Sequence, residues 1–232
     1  MPVLSILLPA YNEQSNIVEA LRANLEAASA VGEAFEIVAV NDGSADATAQ
    51  LLDGVAAAQP AVRVFHHTIN RGFGEALRTA LRHAHGDYCI VAPADSPLSE
   101  ALLSRYLAAA RHADIVLGYR TSRPGYTPLM RFNTWLYHML FRLVCGLRYR
   151  DLNWIHMYRR SIFDAIDIEY GGIVMAAEIV LKARRAGCRI VEIESPMRMR
   201  AEGQASAGRF KVMWRTLKDM LALLWRYASG RL

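Results

Sequence analysis

Cysteine is scarce in this chain: Cys89, Cys145 and Cys188 are the only three, an odd number with no close pair. A disulfide-stapled scaffold and a C-x-x-C zinc or redox site are thereby excluded. Reduced thiols serving as small core residues in a cytosolic compartment are expected instead. Long apolar runs are missing as well. No stretch reaches the roughly 18–20 residues needed to cross a bilayer, so the chain is expected to be soluble or peripheral. The opening Met1-Pro2-Val3-Leu4-Ser5-Ile6-Leu7-Leu8 lacks a basic start and is too short for a signal peptide; it reads as a strand. What is present is the balance of a packed globular protein, 53% hydrophobic and 21% charged over 232 residues.

The excess of basic residues is small, 27 against 22 acidic for a net +5, and it is local. From Arg198 onward eight basic residues face only Glu202 and Asp219, so this tail carries +6 and the other 197 residues sum to about −1. Nucleic-acid binding spread over the whole protein is disfavoured, and a local anionic contact is expected.

The first half alternates short apolar runs with longer helical patterns, the signature of parallel βαβ units. Strands are predicted at 3–8, 35–40, 62–65, 88–91 and 115–117, and helices at 16–30, 45–58, 72–83 and 99–110. Ser44, with Asp46 behind it, and Ser99, with Glu100 behind it, read as helix starts. The strands are apolar throughout, as expected where helices cover both sheet faces. Beyond Gly118 the rhythm changes: a loop at 121–128, a helix at 129–144 ended by Gly146, a break at Tyr170-Gly171-Gly172, a helix at 175–186 and a strand at 189–194. The last segment, 209–228, is an amphipathic helix with Phe210, Met213, Trp214, Leu217, Leu221, Leu224, Trp225 and Ala228 on one face. Lys211, Arg215, Lys218 and Arg226 flank that face, which suits an anionic membrane surface. Packing on the domain or on a second copy in a homo-oligomer is the other use for it.

In doubly wound sheets, ligands bind beyond the carboxyl ends of the strands. Four such segments stand out: Pro9-Ala10-Tyr11-Asn12-Glu13, Asn41-Asp42-Gly43-Ser44, Asn70-Arg71-Gly72-Phe73-Gly74 and Pro93-Ala94-Asp95-Ser96. Three carry a carboxylate, and together they could hold ribose hydroxyls, base amides or a metal-bound pyrophosphate. The pair His66-His67 is a poor metal site, since adjacent strand residues point to opposite faces.

These segments, in this order and spacing, resemble family 2 glycosyltransferases of the GT-A fold, and within them the branch that glycosylates dolichyl or undecaprenyl phosphate. Gly118-Tyr119-Arg120, Arg131 with Asn133, Asp151-Leu152-Asn153, Glu178 and Arg200-Ala201-Glu202-Gly203 continue the likeness to about Gly208. The resemblance implies a mainly parallel α/β sheet flanked by helices, a GT-A domain over 1–208, and a basic C-terminal helix over 209–232. It assigns Pro9, Tyr11, Glu13 and Asp42 to the nucleotide's base and ribose, with Arg71 and Arg200 near the diphosphate. Arg120 and Arg131 match acceptor-phosphate arginines, and Asp151 would orient sugar or acceptor. The family's Asp-x-Asp motif falls on Pro93-Ala94-Asp95, so Asp95 alone remains to hold Mg²⁺ or Mn²⁺, and metal affinity should fall. Pro97 stands where Gln is common, and Trp154-Ile155-His156 replaces a glycine turn, reshaping the pocket.

The expected activity is inverting transfer of a sugar from a nucleotide-sugar to a polyprenyl phosphate at the cytoplasmic membrane face. A catalytically silent nucleotide- or partner-binding relative is the alternative that Pro93 favours. A nucleotidyltransferase is disfavoured, because no Gly-rich, Lys-containing signature follows the first strand.

Overall fold

The computed structural model describes residues 2–196 and 210–231. Seven strands and eight helices alternate along it: β1 (Leu4–Ala10), α1 (Ile17–Val31), β2 (Phe35–Asp42), α2 (Thr48–Ala58), β3 (Val62–His67), α3 (Phe73–His83), β4 (Tyr88–Val91), α4 (Glu100–Ala110), β5 (Ile115–Tyr119), α5 (Pro128–Cys145), β6 (His156–Arg159), α6 (Ile162–Ala165), α7 (Gly172–Arg185), β7 (Ile190–Glu194) and α8 (Phe210–Ala228). The strands form one sheet in the order β3-β2-β1-β4-β6-β5-β7. All neighbours pair in parallel except β6, which runs antiparallel between β4 and β5.

Apolar side chains alternate between two cores. Leu4, Ile6, Leu8, Ile37 and Ala39 face α1, α2 and α4 on one side. Leu7, Val38 and Val40 face α3, α5, α7 and α8 on the other. Every one of these strand residues is buried, which is why the strands read as unbroken apolar runs. Cys89 and Cys145 are free thiols inside the core, and Cys188 is half-buried. Burial pushes the Cys89 thiol up to about 12, so it stays protonated and packs as a small apolar group.

Three differences from the sequence reading bear on function. First, β2 and β3 run two residues further than their apolar stretches, through Asn41–Asp42 and His66–His67, because the parallel ladder continues across those polar residues. Second, the segment 156–159 is a strand, set antiparallel where the βαβ rhythm had suggested none. Third, α8 packs against α5 and α7 with Met220, Leu223 and Leu224 buried. Of the stripe expected to meet a membrane surface, the domain or a second copy, Trp214, Leu217, Leu221 and Trp225 are exposed, and of the described members only Leu224 turns inward. Arg226 anchors the helix by an ion pair to Glu169, and Arg185 of α7 lies over the Tyr227 ring at 4.8 Å.

Candidate active site

Strands β1 to β5 run the same way and β6 runs against them, so the loops after β1 to β5 and the segment leading into β6 all lie along one sheet edge. On the side of β1, β2 and β3 the loops are tied to one another. Asn12, the only non-glycine with positive φ among the described residues, sits at φ 54, a conformation Asn tolerates. From there its N–H donates to Ser44 Oγ (3.0 Å), and its Oδ1 accepts from the Ala45 N–H (2.9 Å). The Glu13 N–H donates to Thr48 Oγ1 (2.8 Å) and the Gln14 N–H to Asp46 Oδ2 (3.2 Å). Ser44, expected as the helix start with Asp46 in the first turn, thus bonds across to the neighbouring loop; α2 begins only at Thr48, whose N–H donates to Asp46 Oδ1 (3.0 Å). Ser99 does cap α4, accepting from the Leu102 N–H.

Asp42 is the centre of this arrangement. Its side chain is almost wholly buried. Oδ1 accepts from the Arg71 N–H (2.9 Å) and lies 2.7 Å from His67 Nδ1, while Oδ2 accepts from the Gly72 N–H (2.7 Å). The carboxylate therefore fixes the loop that opens α3. His67 reaches on to Thr79 Oγ1 of α3, whereas His66 turns to Asn41 and to Asp53 of α2. The two histidines do face opposite sides of the sheet. Gly43, at φ +66, closes the packing: a Cβ there would lie 2.3 Å from the Ile69 carbonyl carbon, so no other residue fits without moving the next loop.

The other described residues that the resemblance assigns to nucleotide and metal are at the same edge. Pro9 is half-buried at the end of β1, opposite Val40. Tyr11 is 42% exposed. Glu13 Oε2 accepts from Asn16 Nδ2, and the exposed Arg71 side chain pairs with Glu75 at 3.2 Å. Asp95 is half-buried in the turn after β4. Arg200 lies outside the described residues. Among the described residues no three His, Cys, Asp or Glu side chains converge as metal ligands. Asp95 is thus a hard oxygen donor that fits Mg²⁺ or Mn²⁺ only together with the oxygens of a diphosphate.

Beyond β5 the chemistry is cationic. Asp151 has no exposed side-chain surface and holds two guanidinium groups. Arg120 Nε and NH2 donate to its two oxygens (2.7 and 3.1 Å), and Arg123 NH2 donates at 3.0 Å. Burial alone would raise the Asp151 carboxyl, but the hydrogen bonds and charges of Arg120 and Arg123 outweigh it and hold the group at about 2. Arg120 also donates to Tyr126 Oη and the Asn153 carbonyl, and stacks on the Trp154 ring at 4.6 Å. The bulk that replaces a glycine turn is thereby accounted for. Trp154 backs Arg120, the Ile155 carbonyl accepts from the Tyr106 hydroxyl and the Gly118 N–H, and His156 begins β6. Arg131 stands in the first turn of α5, exposed, with one long bond from its Nε to the Tyr126 carbonyl (3.4 Å). Sequence reasoning missed Arg123, Tyr126 and His138 in this cluster. The spacing Arg120-x-x-Arg123 in a turn-rich loop was the available signal.

His156 makes one prediction. Burial pushes its imidazole down from 6.5 to about 4, against the pull of Asp151. In the unfolded chain the ring takes a proton below about pH 6.5, whereas in the folded protein it stays neutral until about pH 4. Stability is therefore lost as pH falls through that window, by about 3 kcal/mol in full. Urea unfolding at pH 7, 5.5 and 4 should show this loss, and His156→Phe should flatten it; an unchanged slope in the variant would contradict the assignment.

Comparison with known proteins places this arrangement. The sequence model for Glycosyl transferase family 2 matches residues 5–167. The chain belongs to glycosyltransferase family 2. Undecaprenyl-phosphate 4-deoxy-4-formamido-L-arabinose transferase of Edwardsiella ictaluri is 31% identical over 173 residues, covering 70% of this chain and 51% of that protein. The same-named protein of Pseudomonas paraeruginosa is 31% identical over 168 residues, covering 71% and 49%. The chain thus spans about half the length of the curated relatives it matches. Among solved structures, glucosyl-3-phosphoglycerate synthase from Mycobacterium tuberculosis, in complex with Mn²⁺, UDP and glucosyl-3-phosphoglycerate, superposes with TM-score 0.74 at 17% identity, covering 98% of this chain and 80% of that one. S. aureus TarS with UDP-GlcNAc gives TM-score 0.62 at 19% identity, covering 98% and 71%. The fold is GT-A, as the family resemblance implied. The tied loops around Asp42 and the cationic cluster around Asp151 both lie along the edge where ligands bind in sheets of this kind.

Proposed function

We propose that this chain transfers a sugar from a UDP- or GDP-sugar to a polyprenyl phosphate, with inversion at the anomeric carbon. The observation that carries the reading is the division of one sheet edge into a carboxylate-ordered loop set around Asp42 and an arginine cluster around Asp151. Pro9, Tyr11, Glu13 and Asp42 would bind base and ribose, with Arg71 and Arg200 near the diphosphate. Asp95 would hold Mg²⁺ or Mn²⁺ on that diphosphate, where the ion neutralises charge on the leaving group. A lipid monophosphate, with its second pKa near about 6, is largely a dianion at neutral pH and needs no protein base. It needs cations to position it for direct attack, and guanidinium groups suit its oxygens. Arg131, at the N-terminal turn of an 18-residue helix, adds its charge to the positive end of the helix dipole.

Arg131→Ala is therefore expected to leave UDP affinity within about twofold and to cut transfer about 10–100-fold, the cost of a charge-assisted hydrogen bond. Calorimetric titration and a transfer assay on the same preparation check the two halves.

Peripheral attachment to an anionic membrane face belongs to the same reading. Helix α5 exposes Leu129, Phe132, Trp135 and Leu143, and its neighbour α8 exposes Trp214, Leu217, Leu221 and Trp225. Lys218 lies 5.6 Å from the Trp214 ring and Arg231 lies 4.9 Å from the Trp225 ring. Aromatic side chains beside cations match the headgroup region of anionic lipid. No described helix is long and apolar enough to cross a membrane. Co-sedimentation with phosphatidylglycerol vesicles, absent with phosphatidylcholine and lost in Trp225→Glu, is the expected result. Equal binding to both vesicle types would contradict the charge argument.

Pro93 supports a second reading, a relative that binds nucleotide without turnover. Titration with UDP and GDP, each with and without Mn²⁺, separates the two. Binding that strengthens with metal and vanishes in Asp95→Ala supports the transferase. Absence of binding supports the silent relative.

A further inference from the structure

Between the loop after β5 and helix α5 lie three buried nitrogens without a hydrogen-bond partner: Nε of Arg123, and Nδ1 and Nε2 of His138. Both side chains are about four-fifths buried. Buried polar groups are nearly always satisfied, so three orphans in one place need an explanation. Charge gives a second, independent observation. Arg120 and Arg123 share a single carboxylate, Asp151, and neither has another ion-pair partner among the described residues. The cluster therefore carries one uncompensated positive charge, which is costly to bury without an anion. His138 Nε2 lies 3.9 Å from Asp151 Oδ1, too far for a hydrogen bond, and Asp151 already accepts from Arg120, Arg123 and the Asn153 N–H. The ring is thus beside the surplus charge and free to bond something else.

Arg120 is not the group with capacity to spare. Its side chain is 3% exposed, bidentate on Asp151, bonded to Tyr126 and the Asn153 carbonyl, and clamped by Trp154. Arg123 makes one hydrogen bond through its guanidinium and keeps the rest of its fork open.

We propose that Arg123 and His138 form an oxyanion subsite for the phosphate of the acceptor, and that Arg120 is a positioning residue which, with Asp151, holds Arg123 in place. This rests on the transferase reading above for the identity of the acceptor. The chemistry recognised is a phosphomonoester dianion, taken side-on by the Arg123 fork and by one imidazole N–H of His138. Arg131, exposed one helical turn into α5, then meets the same anion from the solvent side.

The test uses the full chain with ¹⁵N-labelled histidine and citronellyl phosphate, inorganic phosphate and citronellol as probes. The His138 ring signals are assigned by their disappearance in His138→Asn. They are expected to shift with citronellyl phosphate and to stay still with citronellol. Arg123→Ala should abolish the shift and raise the acceptor KM at least about 30-fold, with UDP affinity little changed. Arg123→Lys keeps the charge without the fork and should recover only part of that loss, which also covers the case in which the alanine variant does not fold. A shift that inorganic phosphate produces as readily, and that citronellyl phosphate does not displace, would overturn the acceptor assignment in favour of a free-phosphate site. No shift, or an unchanged acceptor KM in both Arg123 variants, would overturn the subsite and leave the transferase reading standing. A shift in a protein that transfers no sugar would uphold the subsite and remove that reading.

Discussion

Asp151→Ala should lower the melting temperature by about 6–20 °C. The carboxylate is fully buried and compensates two guanidinium groups, of which Arg120 is itself 3% exposed. Removing one member of such a cluster leaves charge behind in a dry environment, at a cost of roughly 3–5 kcal/mol. For a domain of this size each kcal/mol corresponds to about 2–4 °C. The loss is mostly the uncompensated arginines rather than the missing bonds. Accordingly Asp151→Ala combined with Arg120→Met should be more stable than Asp151→Ala alone. Differential scanning calorimetry of the two variants decides this. A drop below about 3 °C in the single variant would mean that water reaches the cluster and solvates it.

Asp42→Ala is expected to weaken UDP binding at least about 30-fold, the second large effect. Three groups lose their partner at once: the N–H groups of Arg71 and Gly72, and His67 Nδ1. Hydrogen bonds to a charged group contribute about 1.5–3 kcal/mol each, and donors left buried without a partner cost a comparable amount. The loop that opens α3 would then no longer be held against the turn at Gly43. Nucleotide affinity falls by this route whether or not the Asp42 oxygens also meet the nucleotide. Asp42→Asn separates the two contributions, since the amide oxygen can still accept one backbone N–H. Calorimetry with UDP on the alanine variant and on Arg131→Ala tests the division of the edge. Equal losses in both would contradict separate donor and acceptor sides.

Much of this was legible in the sequence because parallel strands buried on both faces leave unbroken apolar runs, and polar segments beyond their ends mark the ligand edge. Where the polar segment itself joins the ladder, the pattern misleads. Asn41 and Asp42 read as loop but are paired in β2, opposite His66 and His67 of β3. The antiparallel strand at 156–159 was hidden because its neighbours, Trp154 and Ile155, suggested only bulk replacing a turn. The role of Ser44 was misread for a related reason: an N-cap is a local inference, while its partner, Asn12, lies more than thirty residues away, and Asp46 bonds both locally to Thr48 and across to Gln14. For the α8 stripe the sequence left a membrane surface and packing on the domain both open. An amphipathic pattern states that one face is apolar, but the neighbours α5 and α7 decide which stripe is buried. Arg120 and Asp151 were both singled out from sequence, yet only the structure shows them bonded to each other, and on the subsite proposed above they would serve to hold Arg123.

The central claim is sugar transfer to a lipid phosphate, and its most direct measurement is nucleoside diphosphate release. Purified protein would be given a set of UDP- and GDP-sugars with Mn²⁺, with and without undecaprenyl phosphate in phosphatidylglycerol vesicles. The account predicts diphosphate release from one donor, dependent on the lipid phosphate and absent with undecaprenol. Release of pyrophosphate, or no release from a protein that binds UDP tightly, would contradict it.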